Sequence, residues 1–335
     1  MGGLRKLLGI ILVGSVLAGS SARSVYGDYD IDFDAGLWIP FLPDYTAGSI
    51  VQGSVAQQTD LFQDDQTELG AQVGLSGFVN RPGADTRIEY DFDLAGVGDM
   101  GSSATYADPT PGSVWFASLD GSGGPAVLAT AAGETATFTL DSSVFYNSQY
   151  VGLASTHFFH GQSRQPIELG LGFRHLGFDQ EFALDAQFLN ESGQYLEDLD
   201  TNYLGGEVRG SIQRVHHGRK WVFDFGVGFF NMNSEYYGQS YIRNTVGTVL
   251  DNDVVVDEID EFAVTLDLAL RLDTEVHGMS VRPGITFQYI SDMPFIEHPM
   301  TEVPNSVPAF ISTDSGYFLG INVELAMLTC RCRCR

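Results

Sequence analysis

The run Glu261-Phe262-Ala263-Val264-Thr265-Leu266-Asp267-Leu268-Ala269-Leu270-Arg271 puts an apolar side chain at every even position and its charges, Glu261, Asp267 and Arg271, at odd ones. A period of two is the signature of a β-strand with one face in an apolar medium and the other in a polar one. The pattern recurs along most of the chain in segments of roughly ten residues, the length a tilted strand needs to cross a bilayer. That repetition predicts an all-β fold, a transmembrane antiparallel up-and-down β-barrel.

Composition points the same way. Aromatic residues make up 12%, glycines number 39, and charged residues are only 18%, sparser than in a soluble domain. No apolar stretch is long enough for a spanning helix, and a closed barrel is the other structure that leaves no backbone polar group unpaired in hydrocarbon. The formal net charge of −26 excludes recognition of a phosphate backbone, which relies on basic surface to displace counterions; no nucleic-acid partner is expected. Residues 1–22 read as a signal peptide. Arg5 and Lys6 precede an apolar core from Leu7 to Ala18, and small residues Ser20, Ser21 and Ala22 follow. The expected domain plan is a leader at 1–22, one barrel over 23–328, and a tail at 329–335 in which Cys330, Cys332 and Cys334 alternate with arginines. That spacing is unlike the separated cysteine pairs of structural zinc sites.

Strands are predicted at Tyr29 to Ile39, Leu69 to Leu75, Arg87 to Leu94, Thr135 to Tyr146, Gln149 to Phe159, Ile167 to Phe178, and onward through Phe182 to Phe188. The second half adds Leu204 to Gln213, Trp221 to Phe229, the opening run, Val281 to Tyr289, and Tyr317 to Met327. About twelve strands are expected, with ten or fourteen open. Arg81-Pro82-Gly83, His216 to Arg219 and Val276 to Gly278 read as short periplasmic turns; Pro40 to Gln66, Asn233 to Asp260 and Ser291 to Ser315 read as long external loops. Residues 96–133 could lie outside, plug the lumen or add strands. Trp38, Tyr203, Trp221, Tyr289 and Tyr317 suit interfacial girdles.

The run from Ile167 to Phe182, with its Gly-rich strand ending in Gly172-Phe173-Arg174, followed by Asn202 before a second Gly-rich strand to Gly210, resembles outer-membrane β-barrel proteins of planctomycetes and similar Gram-negative bacteria. The resemblance covers mainly residues 165–330 and implies location and fold, with no catalytic signature. The Cys/Arg tail departs from the terminal aromatic on which such barrels usually end.

If the apolar parity faces lipid, the lumen is lined by Arg87, Glu89, Asp91, Asp93, Glu168, Arg174, Glu207, Arg209, Asp224, Asp267, Arg271 and Glu324, with Glu181, Asp185, Asp273 and Arg282 also inward. Carboxylates exceed bases there, and rings of carboxylate favour cations. The reading that follows is a porin-like passive channel in the outer membrane for small cationic or neutral solutes. Equally physical is a sealed barrel, its charges paired across the lumen, with a surface or structural role. Outer-membrane lipids are the expected partners, and a homo-oligomer is open. No cofactor and no metal site are assigned. The acids nearest to one are Asp251, Asp253, Asp257 and Glu258, with Asp60, Asp64 and Asp65 in one acidic loop and Glu197, Asp198 and Asp200 in another. Such oxygen ligands suit Ca²⁺ or Mg²⁺, but Val256 stands where a calcium loop needs its sixth-position glycine. Ser155, His157 and His160 near one strand end are framed by no nucleophile signature, so no enzymatic activity is expected.

Overall fold

The computed structural model describes residues 29–43, 45, 49–52, 55–58, 69–80, 86–107, 114–121, 127–131, 133–158, 166–276, 279–298 and 308–330. Every regular element among them is a strand: β1 (Tyr29–Phe41), β2 (Ser49–Gln52), β3 (Val55–Gln58), β4 (Gly70–Asn80), β5 (Thr86–Ala107), β6 (Val114–Ala117), β7 (Val127–Ala129), β8 (Thr135–Phe158), β9 (Pro166–Gln187), β10 (Glu191–His216), β11 (Arg219–Asn244), β12 (Val249–Val276), β13 (Met279–Glu297) and β14 (Phe310–Cys330). Ten of them close an antiparallel barrel in the ring order β1-β14-β13-β12-β11-β10-β9-β8-β5-β4. The other four, ordered β3-β2-β6-β7, form a small separate sheet.

The barrel has ten strands rather than twelve because its strands are longer than a bilayer requires. β8 is one strand of 24 residues where the sequence suggested two, and β12 has 28, against the 9–11 that span hydrocarbon. For the same reason the expected loop from Asn233 to Asp260 is almost entirely β11 and β12, joined by a turn at 245–248. The loop expected over Ser291 to Ser315 is likewise strand at both of its ends, in β13 and β14. The turn read at His216 to Arg219 is present: His217 and Gly218 both have positive φ, 49° and 76°, as a type I′ hairpin demands, and His216 pairs with Arg219. The leader at 1–22, Arg81-Pro82-Gly83, His277-Gly278, Asp60, Asp64, Asp65, His160 and residues 331–335 lie outside the described residues. β14 runs two residues into the expected tail, with Cys330 opposite Tyr29.

The faces of the long strands exchange roles part-way along. On β12 the outward positions Phe262, Val264, Leu266, Leu268, Leu270 and Leu272 are apolar, whereas Glu258 and Asp260 continue the same face. β11 changes between Phe229 and Asn231, β10 between Leu204 and Asn202, and β9 between Phe173 and His175, positions that are register neighbours. Below this line the apolar side chains point outward, with Phe173 78% and Leu171 65% exposed, forming a belt that only lipid can cover. Above it the apolar side chains point inward: Phe178, Leu184, Leu199, Tyr236 and Ile242 are buried.

Two apolar layers fill the upper half. The lower one joins Trp38, Tyr146, Phe178, Tyr203, Phe230 and Phe318 with smaller side chains. The upper one packs the small sheet, through Val114, Phe116, Leu119 and Leu128, against wall residues such as Phe138, Leu184, Tyr195 and Ile296. Phe116 stacks on Tyr195 at 4.5 Å, and Leu119 accepts a backbone hydrogen bond from Ala309 at 2.7 Å. The small sheet thus enters the long-loop end of the barrel as a plug. Trp38 and Tyr203, read from the sequence as interfacial, belong instead to the interior layer, while Tyr317 is outward and stacks with Phe41.

Candidate functional site

Beneath the aromatic layer the interior is polar. All twelve residues expected to face the lumen line one cavity of about 410 Å³: Arg87, Glu89, Asp91, Asp93, Glu168, Arg174, Glu207, Arg209, Asp224, Asp267, Arg271 and Glu324. They meet because strand positions two apart share a face, and the register sets those faces side by side. Asp30, Asp32, Asp34, Lys220 and Arg282 complete the charged lining, giving eleven acids and six bases.

The bases are held in place by carboxylates. Arg174, 5% exposed, bridges Glu207 at 2.9 Å and Asp267 at 2.7 Å, and donates from Nε to Ser148 at 3.0 Å. Arg209 pairs with Glu207 and, at 2.8 Å, Asp91, its guanidinium 3.6 Å above the Tyr150 ring. Arg271 joins Asp224 to Glu324, and Arg282 joins Glu324 to Asp32. Nearer the short turns, Arg87 holds Glu89 and Glu168, and Lys220 holds Asp273 at 3.0 Å. These chains of alternating charge brace the wall in the part of the barrel that lipid surrounds.

The cavity is closed above. Phe178 on β9 and Phe318 on β14 stack with centroids 5.3 Å apart and planes 18° apart, and those strands stand five places apart in a ring of ten. Opposite walls therefore touch. Trp38 stacks on Phe318 at 5.2 Å and on Tyr146 at 5.9 Å, which fills the remaining span.

A second polar cluster lies higher, inside the plugged half. Glu197, 2% exposed, receives hydrogen bonds from Tyr45 and, at 2.7 Å, Tyr236, and His298 Nε2 sits 2.9 and 3.1 Å from its two oxygens. His298 stacks on Tyr195 at 5.4 Å. Burial pushes the Glu197 carboxyl up, but the His298 ring and the two tyrosine hydroxyls outweigh it and hold it below 4.5. Sequence reasoning misses this cluster because it places Glu197 in an acidic loop. The signal is nevertheless there: Glu197 shares its parity with Tyr195, Leu199 and Tyr203, the inward face of β10.

Other acids fall differently from expectation. Glu181 and Asp185 face outward, since they lie above the line where the faces exchange. Asp251, Asp253 and Asp257 take the inward parity of β12 and Glu258 the outward one, so the four do not converge on one cation, and no metal-binding group forms among the described residues. Asp253 accepts from Ser118, and Asp257 accepts the Ile311 N–H at 2.8 Å; both fasten strand β12 to its surroundings. Ser155 sits on the outward parity of β8 at the short-turn end, away from the plugged half.

No protein-family model and no curated protein sequence matches the chain. Solved structures similar to it include the outer membrane protease OmpT from Escherichia coli, at 6% identity and a TM-score of 0.41, covering 92% of this chain and all of that one. The translocator domain of the autotransporter NalP from Neisseria meningitidis has 10% identity, a TM-score of 0.24 and 96% coverage of both chains. The TodX monoaromatic hydrocarbon channel has 6% identity, a TM-score of 0.24 and 92% coverage of both. The expectation that the chain is not an enzyme is corrected here, since one of the solved barrels similar to it is an outer membrane protease. Barrel architecture does not separate this chain from enzymes.

Proposed function

We propose that the protein is an outer-membrane barrel closed to through-flow, reaching the membrane by export on the leader at residues 1–22, and acting through its two separate interiors: a plugged external half and a charged chamber open toward the periplasm. This keeps the second of the two readings of the sequence, the sealed barrel. The observation that carries it is the Phe178–Phe318 stack across the diameter, reinforced by the apolar plug above. The orientation follows from the short turns, which in such barrels are periplasmic.

The acid-rich chamber lining favours a second reading, a gated channel with cation preference, in which the aromatic layer would have to part. Conductance of the purified full chain in a planar bilayer under a salt gradient separates the two. The closed reading expects inserted protein with no steady current. Stable open conductance by the unaltered chain would replace it with the channel.

A further inference from the structure

The chamber is not evenly neutralised. On the wall made by β1, β4 and β5, Arg209 reaches Asp91 and Arg282 reaches Asp32, but Asp34 and Asp93 have no Lys or Arg paired to either among the described residues. The donors that reach Asp34 are neutral amides, Asn322 and, at a long 3.5 Å, Gln72. Gly74 lies between the two acids as the direct cross-strand partner of both. A Cβ at that position would collide with the Oδ1 atoms of Asp34 and Asp93, so the two carboxylates lean over the glycine into one hollow. The missing side chain is what makes room for them.

A second feature points the same way. Asn322, 7% exposed, and Asp32, 8% exposed, line the same cavity, and each has a buried Oδ1 with no hydrogen-bond partner among the described residues. A buried acceptor without a donor costs the full desolvation of that group. Four side chains around one recess thus offer more acceptor oxygens than the protein supplies donors for. A ligand complementary to them supplies several N–H donors and positive charge, which is the chemistry of an ammonium or guanidinium group.

We propose that the hollow over Gly74, formed by Asp34, Asp93, Asn322 and Asp32, binds the cationic head of a small organic amine entering the chamber from the short-turn end. The volume of about 410 Å³ is in the range of small-molecule sites, and the aromatic layer at Trp38 and Phe318 gives the recess an apolar ceiling against which an alkyl chain can rest. The inference does not depend on whether the barrel conducts, because binding is read on protein in micelles.

The test is calorimetric titration of the folded full chain with putrescine at low salt. One saturable site is expected. Asp34→Asn and Asp93→Asn should each weaken it at least tenfold, and Asn322→Ala by a smaller factor of about three. Both Asp→Asn changes remove one of two like charges that face each other across β4 and keep the side chain's size, so folding is expected to survive; far-UV circular dichroism checks it. Glu235→Gln, on the outer surface, should leave the site intact. Absence of saturable binding by the unaltered chain overturns the proposal, as does binding that persists in both Asp→Asn variants or disappears with Glu235→Gln.

Discussion

Glu197 and His298 stand 101 residues apart in the chain and meet inside the plugged half of the barrel, Nε2 of the ring 2.9 Å from the nearer carboxylate oxygen. Glu197 is joined there by the Tyr45 and Tyr236 hydroxyls. Because the folded carboxyl is held below its ordinary 4.5, the cluster stabilises the fold fully above that pH and loses its contribution as acidification carries the carboxyl through its folded value. Hydrogen-exchange protection of the β6 and β7 amides, corrected for the intrinsic rate at each pH, should be high at pH 6 and low at pH 3. Glu197→Leu should abolish that pH step. Glu197→Gln, which leaves the partners buried around a weaker acceptor, should destabilise the half by about 3 kcal/mol or more.

The aromatic stack across the lumen makes a prediction of the opposite kind. Phe178→Ala with Phe318→Ala should open a water path from the chamber into the upper half. Each truncation should cost about 3–5 kcal/mol, which barrel hydrogen bonding should tolerate. Bilayer recordings of the double variant are expected to show flickering current with cation preference, set by the excess of acids in the lining. Silent recordings from an inserted double variant would mean that the plug alone seals the barrel.

Arg174 is the keystone of the chamber wall, since removing it leaves Asp267 without its ion-pair partner and Glu207 with Arg209 alone. Arg174→Met should destabilise by about 3–5 kcal/mol, the cost of leaving a buried charge unpaired. Thermal unfolding in detergent measures it. Restoring packing with Glu207→Leu in the same chain should recover part of the loss.

Just above the lipid belt, Asp179, Asp200, Glu235 and Glu258 are successive cross-strand partners on four neighbouring strands. Like charges directly opposite destabilise a sheet. Glu235→Gln is therefore expected to stabilise by about 0.2–1 kcal/mol at low salt, an effect that should shrink as ionic strength rises. Chemical denaturation at two salt concentrations reads both quantities.

Much of this was legible in the sequence. The alternation in Glu261 to Arg271 separates Phe262, Leu266 and Leu270, which are exposed, from Asp267 and Arg271, which line the cavity, because a strand has only two faces. The lumenal set on β5, β9, β10, β11 and β14 followed from the same argument. What was not legible is the point at which the surroundings change. On β9 the apolar positions are odd from Ile167 to Phe173 and even from Leu176 to Ala186. One rule of lipid outside and charge inside, carried through both, turns Glu181 and Asp185 the wrong way. Glu197 is lost to the same cause: above the belt, a carboxylate on the inward face is a buried group in a protein core. Strand number comes out at ten, the low end of what the sequence left open, for a related reason, since segments cut to bilayer length divide β8 in two.

The upper core draws Tyr45 and Phe116 from early in the chain and Ile296 and Ile311 from near its end. Those side chains have no shared interior to enter until β14 has paired with β1 and closed the ring. The upper core is therefore completed only with the ring: its side chains are brought together once β14 lies beside β1. A chain halted before its last strand would have no vessel in which to fold its own stopper.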